Sequence, residues 1–168
     1  MWFLKALGYL FGGIALLVAV VLIGARFADG PLEIIAGGEF SSGTAYTGAE
    51  PDWAFVRPIV TVEFQLMDPA RSRTTWILEH EGKIYIPCGY MNSTWGKIWK
   101  QWPIEAEKDG RAILRINGQL YDRQLVRVQD GPEVAVLTAQ IAEKYKVPAT
   151  PAAVTSGDLW IFQLAPAS

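Results

Sequence analysis

The stretch "RAILRINGQLYDRQLVRV", residues 111 to 128, decides the fold class of this chain. At its centre is Asn117-Gly118, the strongest short signal for a two-residue turn, because both residues accept the positive φ that such a turn needs. The strings "RAILRI" and "QLYDRQLVRV" flank the turn on either side. We therefore predict two antiparallel strands joined as a β-hairpin.

More strands are predicted before the hairpin. In "IVTVEFQLM", residues 59 to 67, β-branched and aromatic residues alternate with polar ones, which is the period of a half-buried strand. "ARSRTTWILEH" and "KIYIPCGY" follow, separated by a turn at Glu81-Gly82. The three strings predict a meander of antiparallel strands.

After the hairpin the pattern changes to a helix and one last strand. Residues 130 to 147 place apolar side chains on one helical face, namely Val134, Leu137, Ile141 and Tyr145. Residues 148 to 157 are rich in Pro, Ala and Thr and are predicted to be a loop, and "DLWIFQLAP" is predicted to be a strand. Many antiparallel strands with few helices favour a small barrel that closes its own sheet edges.

The N-terminal region has a different composition. Between Lys5 and Arg26 there is no charged residue, and residues 6 to 25 are long enough to cross a bilayer. A cleaved signal peptide would have a shorter apolar run and a small residue where Arg26 stands. We therefore predict a single-pass membrane anchor at residues 1–27, a Gly- and Ser-rich linker at 28–51 and a barrel domain at 52–168. Our predicted orientation has the N-terminus inside and the barrel outside the cell membrane.

Charge and reactive residues narrow the function. All 17 acidic residues lie beyond Arg26 with 13 of the 15 basic ones, so that part carries a net charge of −4, which argues against nucleic acid as a partner. Cys88 and His80 are the only residues of their types, and no third residue is placed to orient them for catalysis. Strand alternation separates His80 from Glu79 and Glu81, so we expect no metal site there.

One unusual segment needs an explanation. "WGKIWKQWPIEAEKDG", residues 95 to 110, places Trp95, Trp99 and Trp102 among lysines. Such a cluster is typical of a folded core, a membrane-surface belt, a partner-binding face or the wall of a pocket for a planar anion. The segment by itself leaves all four open.

The order of elements and three strings resemble a known superfamily. "RSRTTWILEHEGKIYIPCG", "KIWKQWPIEAEKDGRAILRINGQLYDRQLVRV" and "DLWIFQLAP" are similar to the split β-barrel flavin-binding proteins around pyridoxamine-phosphate oxidase, which include deazaflavin-dependent reductases. The resemblance covers residues 52 to 166. It implies a split β-barrel of six to seven antiparallel strands that binds flavin mononucleotide (FMN) or a related flavin. It also implies a homodimer, because the flavin pocket of that superfamily lies between two barrels.

The resemblance also implies the residues of the site. An Arg fork beside hydroxyl groups suits a phosphate, and alternation puts Arg71, Arg73 and Thr75 on one strand face, opposite Ser72 and Thr74. The cofactor-binding residues expected from the resemblance are Arg71, Arg73, Thr74, Thr75, Lys97, Lys100 and Trp99. No catalytic acid or base is evident.

Two functions are therefore in competition. The first is a membrane-anchored flavin- or deazaflavin-dependent oxidoreductase, although an anchor is not part of the superfamily's usual soluble form. The second is a non-catalytic, tethered barrel whose tryptophans dock onto a partner protein of a membrane complex. Contact of the same segment with the lipid surface ranks last, because the domain is net acidic. The simplest alternative is that Arg71 and Arg73 are merely solvated and that the tryptophans belong to the core.

Overall fold

The computed structural model describes residues 2 to 94, 96 and 100 to 167 of the chain. Its helices are α1 (Trp2–Ala25), a short 3₁₀ helix (Trp53–Val56), α2 (Trp102–Lys108), α3 (Glu133–Tyr145) and α4 (Pro151–Thr155). Its strands are β1 (Thr44–Ala45), β2 (Thr61–Met67), β3 (Ala70–Trp76), β4 (Leu78–His80), β5 (Lys83–Cys88), β6 (Arg111–Ile116), β7 (Gln119–Val128) and β8 (Trp160–Pro166).

The strands form one antiparallel sheet that curls into a barrel. Neighbouring strands follow the order β3-β2-β6-β7-β8-β5-β4, and the short β1 adds to β7 in parallel. The first and last members of this path, β3 and β4, are separated in the chain only by the fully buried Ile77. Because one chain segment pairs with β2 at its start and with β5 at its end, the sheet returns on itself. This confirms the predicted mainly β class with antiparallel barrel strands and short helices.

The hairpin that decides the class forms as predicted. Strands β6 and β7 pair from Arg111↔Gln124 to Ile116↔Gln119. Asn117 and Gly118 have φ values of 50° and 77°, the left-handed geometry of a two-residue turn.

Two apolar cores hold the barrel. The first fills its interior and includes the fully buried Phe64, Leu114 and Phe162. Trp102 of α2 enters this core, with its ring centroid 4.9 Å from Phe64 and 5.3 Å from Phe162. The second core lies between α3, α4 and the outer face of the sheet, where Leu137 is fully buried. Helix α2 therefore plugs the barrel, and α3 covers it.

Helix α1 stands apart from both cores. It has 24 residues, about 36 Å at 1.5 Å per residue, and Ala25 is its one buried residue. One N-terminal helix is thus long and apolar enough to span a membrane.

The segment after α1 lies along the barrel. The Gly37 N–H donates to the Ser72 carbonyl at 2.9 Å, and the Ser72 hydroxyl donates to the Gly38 carbonyl at 2.6 Å. Within the segment predicted as a linker, an isolated β-bridge joins Leu32 and Ile35. The small side chains of this segment allow its backbone to approach β3 closely.

One predicted loop contains a helix. Within residues 148 to 157, α4 begins after Thr150, whose hydroxyl accepts from the Ala153 N–H at 3.2 Å. Pro151 occupies the first turn, where its missing N–H costs nothing. The prediction of a loop was wrong because it rested on the overall composition and overlooked the N-cap Thr150 followed by Pro151, which together begin a helix.

Candidate functional site

Strand β3 positions the two arginines that the sequence singles out. Arg73 pairs with Phe64 and Arg71 with Leu66, and both partners are fully buried in the barrel core. Thr75 continues the same face, while Ser72 points the other way, beneath the segment after α1. The predicted alternation of faces is thus what the strand register shows.

Arg71 and Arg73 line a cavity of about 560 Å³ that we call the basic cavity. Arg26 and Lys100 also line it, so four cations surround one space. Its remaining lining residues are Leu22, Ile23, Ile34, Ile35, Ala36, Thr74 and Trp102. The end of the apolar helix, the segment after it and β3 therefore meet at this cavity.

The charges around the basic cavity are only partly balanced. Nη2 of Arg73 lies 3.1 Å from Oε2 of Glu105 on α2. Burial lowers the pKa of Arg73, and Glu105 opposes that shift. Burial also lowers the pKa of Arg71, and the positive charge of Arg26 adds to the effect. Among the described residues no carboxylate contacts Arg71 or Arg26, so positive charge is in excess here.

Lys100 is held in place by the backbone. Its Nζ donates to the Gly89 carbonyl at 2.6 Å and lies 5.3 Å from the centroid of the Tyr90 ring. An ammonium group carries three donors, so one bond to a carbonyl orients it without using up its capacity to bind an anion.

A second cavity, of about 410 Å³, adjoins the first, and we call it the apolar cavity. Its walls include Trp76, Pro87, Cys88, Tyr90 and Leu159. Four residues line both cavities, namely Ile34, Thr74, Lys100 and Trp102. The two spaces therefore form one divided site, apolar on one side and cationic on the other.

The structure brings together most of the predicted site residues. Arg71 and Arg73 line the basic cavity, Thr75 lines the apolar cavity, and Thr74 and Lys100 line both. Lys97 and Trp99, and Trp95 beside them, lie outside the described residues. Trp102 belongs to the core, as the simplest alternative expects, and its ring also forms a wall of the site.

Three contributing residues were missed at the level of sequence. At the level of sequence Arg26 marked the end of the apolar run and argued against a cleaved signal peptide, and Glu105 was not proposed for the site; in the structure Arg26 lines the basic cavity and Glu105 contacts Arg73. Ile34 lines both cavities, and its neighbours Leu32 and Ile35 are also apolar, so nothing in the sequence singles it out.

Cys88 and His80 form no catalytic pair. His80 pairs with Lys83 at the start of β5, whereas Cys88 ends that strand, five residues or about 17 Å away. Burial raises the pKa of the Cys88 thiol to about 11, against the opposing effects of Lys100 and Arg73. The thiol is therefore protonated at neutral pH and acts as an apolar wall.

Comparisons with known proteins give structural likenesses only. No protein-family model and no curated protein matches the chain. Among solved structures, the chain is similar to the conserved hypothetical protein Rv2991 from Mycobacterium tuberculosis, with 12% identity and a TM-score of 0.49 over 77% of this chain and 86% of that one. It is also similar to an F420 reductase, with 10% identity and a TM-score of 0.44 over 72% of this chain and 97% of that one.

Proposed function

We propose that this chain is a membrane-anchored split-barrel protein that binds a flavin-type cofactor and acts as an oxidoreductase. One observation carries the proposal: an apolar cavity and a cationic cavity adjoin, and Lys100 and Thr74 line both. A flavin nucleotide has the same two parts, a planar ring system and an anionic phosphate. The ring system is assigned to the apolar cavity and the phosphate to Arg73 and Lys100.

The residues present fit such a ligand. The apolar cavity has a volume within the roughly 300 to 1,000 Å³ that is usual for small-molecule sites. Lys100 lines both cavities, and Arg73 lines the basic cavity near enough to Cys88, a wall of the apolar cavity, for its charge to act on the pKa of that thiol. Thr74 lines both cavities as well. Lys97 and Trp99 keep the roles expected from the resemblance.

The chemistry divides between cofactor and protein. A bound flavin would supply hydride or electron transfer, and the chain would orient it. The phosphate would compete with Glu105 for Arg73. Lys100 would bind the phosphate while its Nζ also donates to the Gly89 carbonyl. Trp102 and Tyr90 would keep water from one side of the ring system. A second copy of the chain would complete the pocket.

The first test is the visible absorption of the full-length protein in detergent, before and after addition of FMN and desalting. Retention of a flavin band that is lost in Arg73→Ala supports the proposal. A parallel titration with a deazaflavin nucleotide decides between the two ring systems. A folded, colourless protein that retains neither would overturn the proposal and favour a non-catalytic barrel that docks onto a partner protein.

The membrane anchor and its orientation belong to the same proposal. Helix α1 would span the bilayer once, with the barrel on the outer side. A Lys83→Cys variant tests this, because Lys83 is exposed at the start of β5 whereas Cys88 is buried. Labelling of the new thiol in intact cells by a membrane-impermeant maleimide is expected, and labelling only after lysis would place the barrel inside.

A further inference from the structure

The apolar helix α1 forms part of the wall of the basic cavity. Leu22 and Ile23 belong to the last turns of α1, and both line the cavity beside Arg26. This inference rests on the proposed membrane anchor: with α1, about 36 Å long, spanning a hydrocarbon core of about 30 Å, its C-terminal end lies at the level of the lipid headgroups. One side of the cavity is therefore placed to face lipid at the depth where lipid phosphates lie.

In the part of the chain that the structure describes, no carboxylate contacts Arg26 or Arg71, the cations nearest that wall. Arg71 directs Nη2 to the Ala36 carbonyl at 2.8 Å, and its buried Nε finds no acceptor among the described residues. The nearby carboxylate, Glu105, contacts Arg73 and not Arg71. Arg26 and Arg71 are close enough for their charges to interact unfavourably. An anion between these two guanidinium groups would relieve that repulsion and use their remaining donors.

We propose that Arg26 and Arg71 bind the phosphate of an anionic membrane phospholipid whose acyl chains lie along Leu22 and Ile23. The cofactor phosphate is assigned to Arg73 and Lys100, whose charges act on Cys88, and the lipid phosphate to Arg71 and Arg26, whose charges act on each other. Free phosphate has the same charge chemistry, but it makes no use of the apolar wall. The barrel's net acidity does not oppose the binding, because the excess of cations is local to the cavity.

The experiment uses the full-length protein in a nonionic detergent. Native mass spectrometry follows the binding of dioleoyl phosphatidylglycerol, with dioleoyl phosphatidylcholine as the uncharged comparison. We expect saturable binding of one phosphatidylglycerol per chain. Arg26→Gln and Arg71→Gln should each weaken it about tenfold, the usual effect of losing a hydrogen bond to a charged group. Lys83→Gln, which removes one exposed positive charge at the far end of β5, should leave it unchanged.

Two results would overturn the proposal. The first is phosphatidylglycerol binding that is the same in Arg26→Gln, Arg71→Gln and Lys83→Gln. The second is complete displacement of phosphatidylglycerol by millimolar inorganic phosphate, which would make this a site for free phosphate. Arg71→Lys keeps the charge without the guanidinium donors, so it should bind the lipid more weakly than the unmodified protein and more tightly than Arg71→Gln.

The outcome is independent of the cofactor proposal. FMN binding is measured on the same variants by absorption after desalting. Arg26→Gln is expected to weaken lipid binding and leave FMN binding unchanged, whereas Arg73→Gln is expected to weaken FMN binding and leave lipid binding unchanged. Loss of both ligands in both variants would mean one shared phosphate site and would contradict the separate lipid site.

Discussion

Two arginines lie on the inner face of the barrel, Arg123 on β7 and Arg71 on β3, and their guanidinium groups have different partners. Nη1 of Arg123 contacts both carboxylate oxygens of Glu50, at 2.8 and 3.0 Å, and its guanidinium lies 4.8 Å from the Trp53 ring centroid. Arg71 has a carbonyl and a neighbouring cation instead. Both leave Nε without an acceptor among the described residues, so the difference lies in the carboxylate.

The comparison separates cations that hold the fold from cations available to a ligand. Arg115 contacts Asp29 and Glu63, and Arg57 contacts Glu79, as Arg123 contacts Glu50. Around the basic cavity, the described residues place one carboxylate in contact with the four cations, Glu105 on Arg73. Burying uncompensated charge costs free energy. Such a cluster is therefore better explained by an anionic ligand than by stability.

The largest effect on stability is expected at the ion pair between Arg123 and Glu50. Glu50→Ala leaves the 4%-exposed Arg123 without its carboxylate and removes the acceptor of the Trp53 indole N–H, which lies 2.6 Å from Glu50. We expect a loss of about 2 to 3 kcal/mol in the free energy of unfolding, less than for a fully buried pair because Glu50 is partly exposed. Chemical denaturation in detergent measures it. Glu39→Ala, at an exposed site, is the control, and an equal loss in both would contradict this account.

The second prediction compares the two arginines directly. Arg123→Gln should lower the free energy of unfolding by at least about 1 kcal/mol more than Arg71→Gln, since only Arg123 gives up a carboxylate contact and two aromatic contacts. Arg71→Gln is expected within about 0.5 kcal/mol of the unmodified protein, or above it, because it removes an uncompensated charge. Equal losses would remove the distinction between the two regions.

The third prediction concerns how pH changes the contribution of the ion pair between Glu79 and Arg57 to stability. Burial raises the pKa of Glu79, but the hydrogen bonds from Arg57 and Gly82 outweigh it, and the net shift is below the ordinary value of 4.5. The ionised carboxylate therefore stabilises the fold above about pH 4.5, and the contribution is lost as pH falls through the lower folded-state pKa. We expect Glu79→Gln to cost about 1 kcal/mol at pH 7, since Arg57 is largely exposed. That cost should shrink below pH 4.5, and a pH-independent difference would refute the assignment.

The smallest effect concerns the one carboxylate near the basic cavity. Glu105→Gln removes the negative charge that competes for Arg73, so the affinity for FMN should rise about threefold. Isothermal titration of the full-length protein measures it. Glu107→Gln, two residues away and bonded to Arg127, serves as the matched control. A weaker affinity in Glu105→Gln would mean that Glu105 positions Arg73 rather than competing for it.

Local patterns were sufficient for much of the fold. The turn at Asn117-Gly118 required positive φ, and the face of α3 followed from apolar spacing, so neither depended on distant residues. The packing of the segment after α1 was not predictable, because Gly37 meets Ser72 and Thr44 meets Gln119 across long stretches of chain. Small residues give no local signal for such contacts.

The candidate site likewise has a part that was predictable from the sequence and a part that was not. Arg71, Arg73, Thr74 and Thr75 are neighbours in the chain, and one strand was enough to group them. Arg26 and Glu105 joined them only through the tertiary fold, from the end of α1 and from α2. Lys97 and Trp99 stay predictions from the resemblance.

The divided site is tested most directly by the dissociation constants of FMN and of riboflavin, which lacks the phosphate, for the unmodified protein and Arg73→Gln. The account predicts that Arg73→Gln weakens FMN about tenfold and leaves riboflavin unchanged, because the arginine acts on the phosphate alone. Equal weakening of both ligands, or binding of neither by the unmodified protein, would contradict the assignment of ring and phosphate to the two cavities.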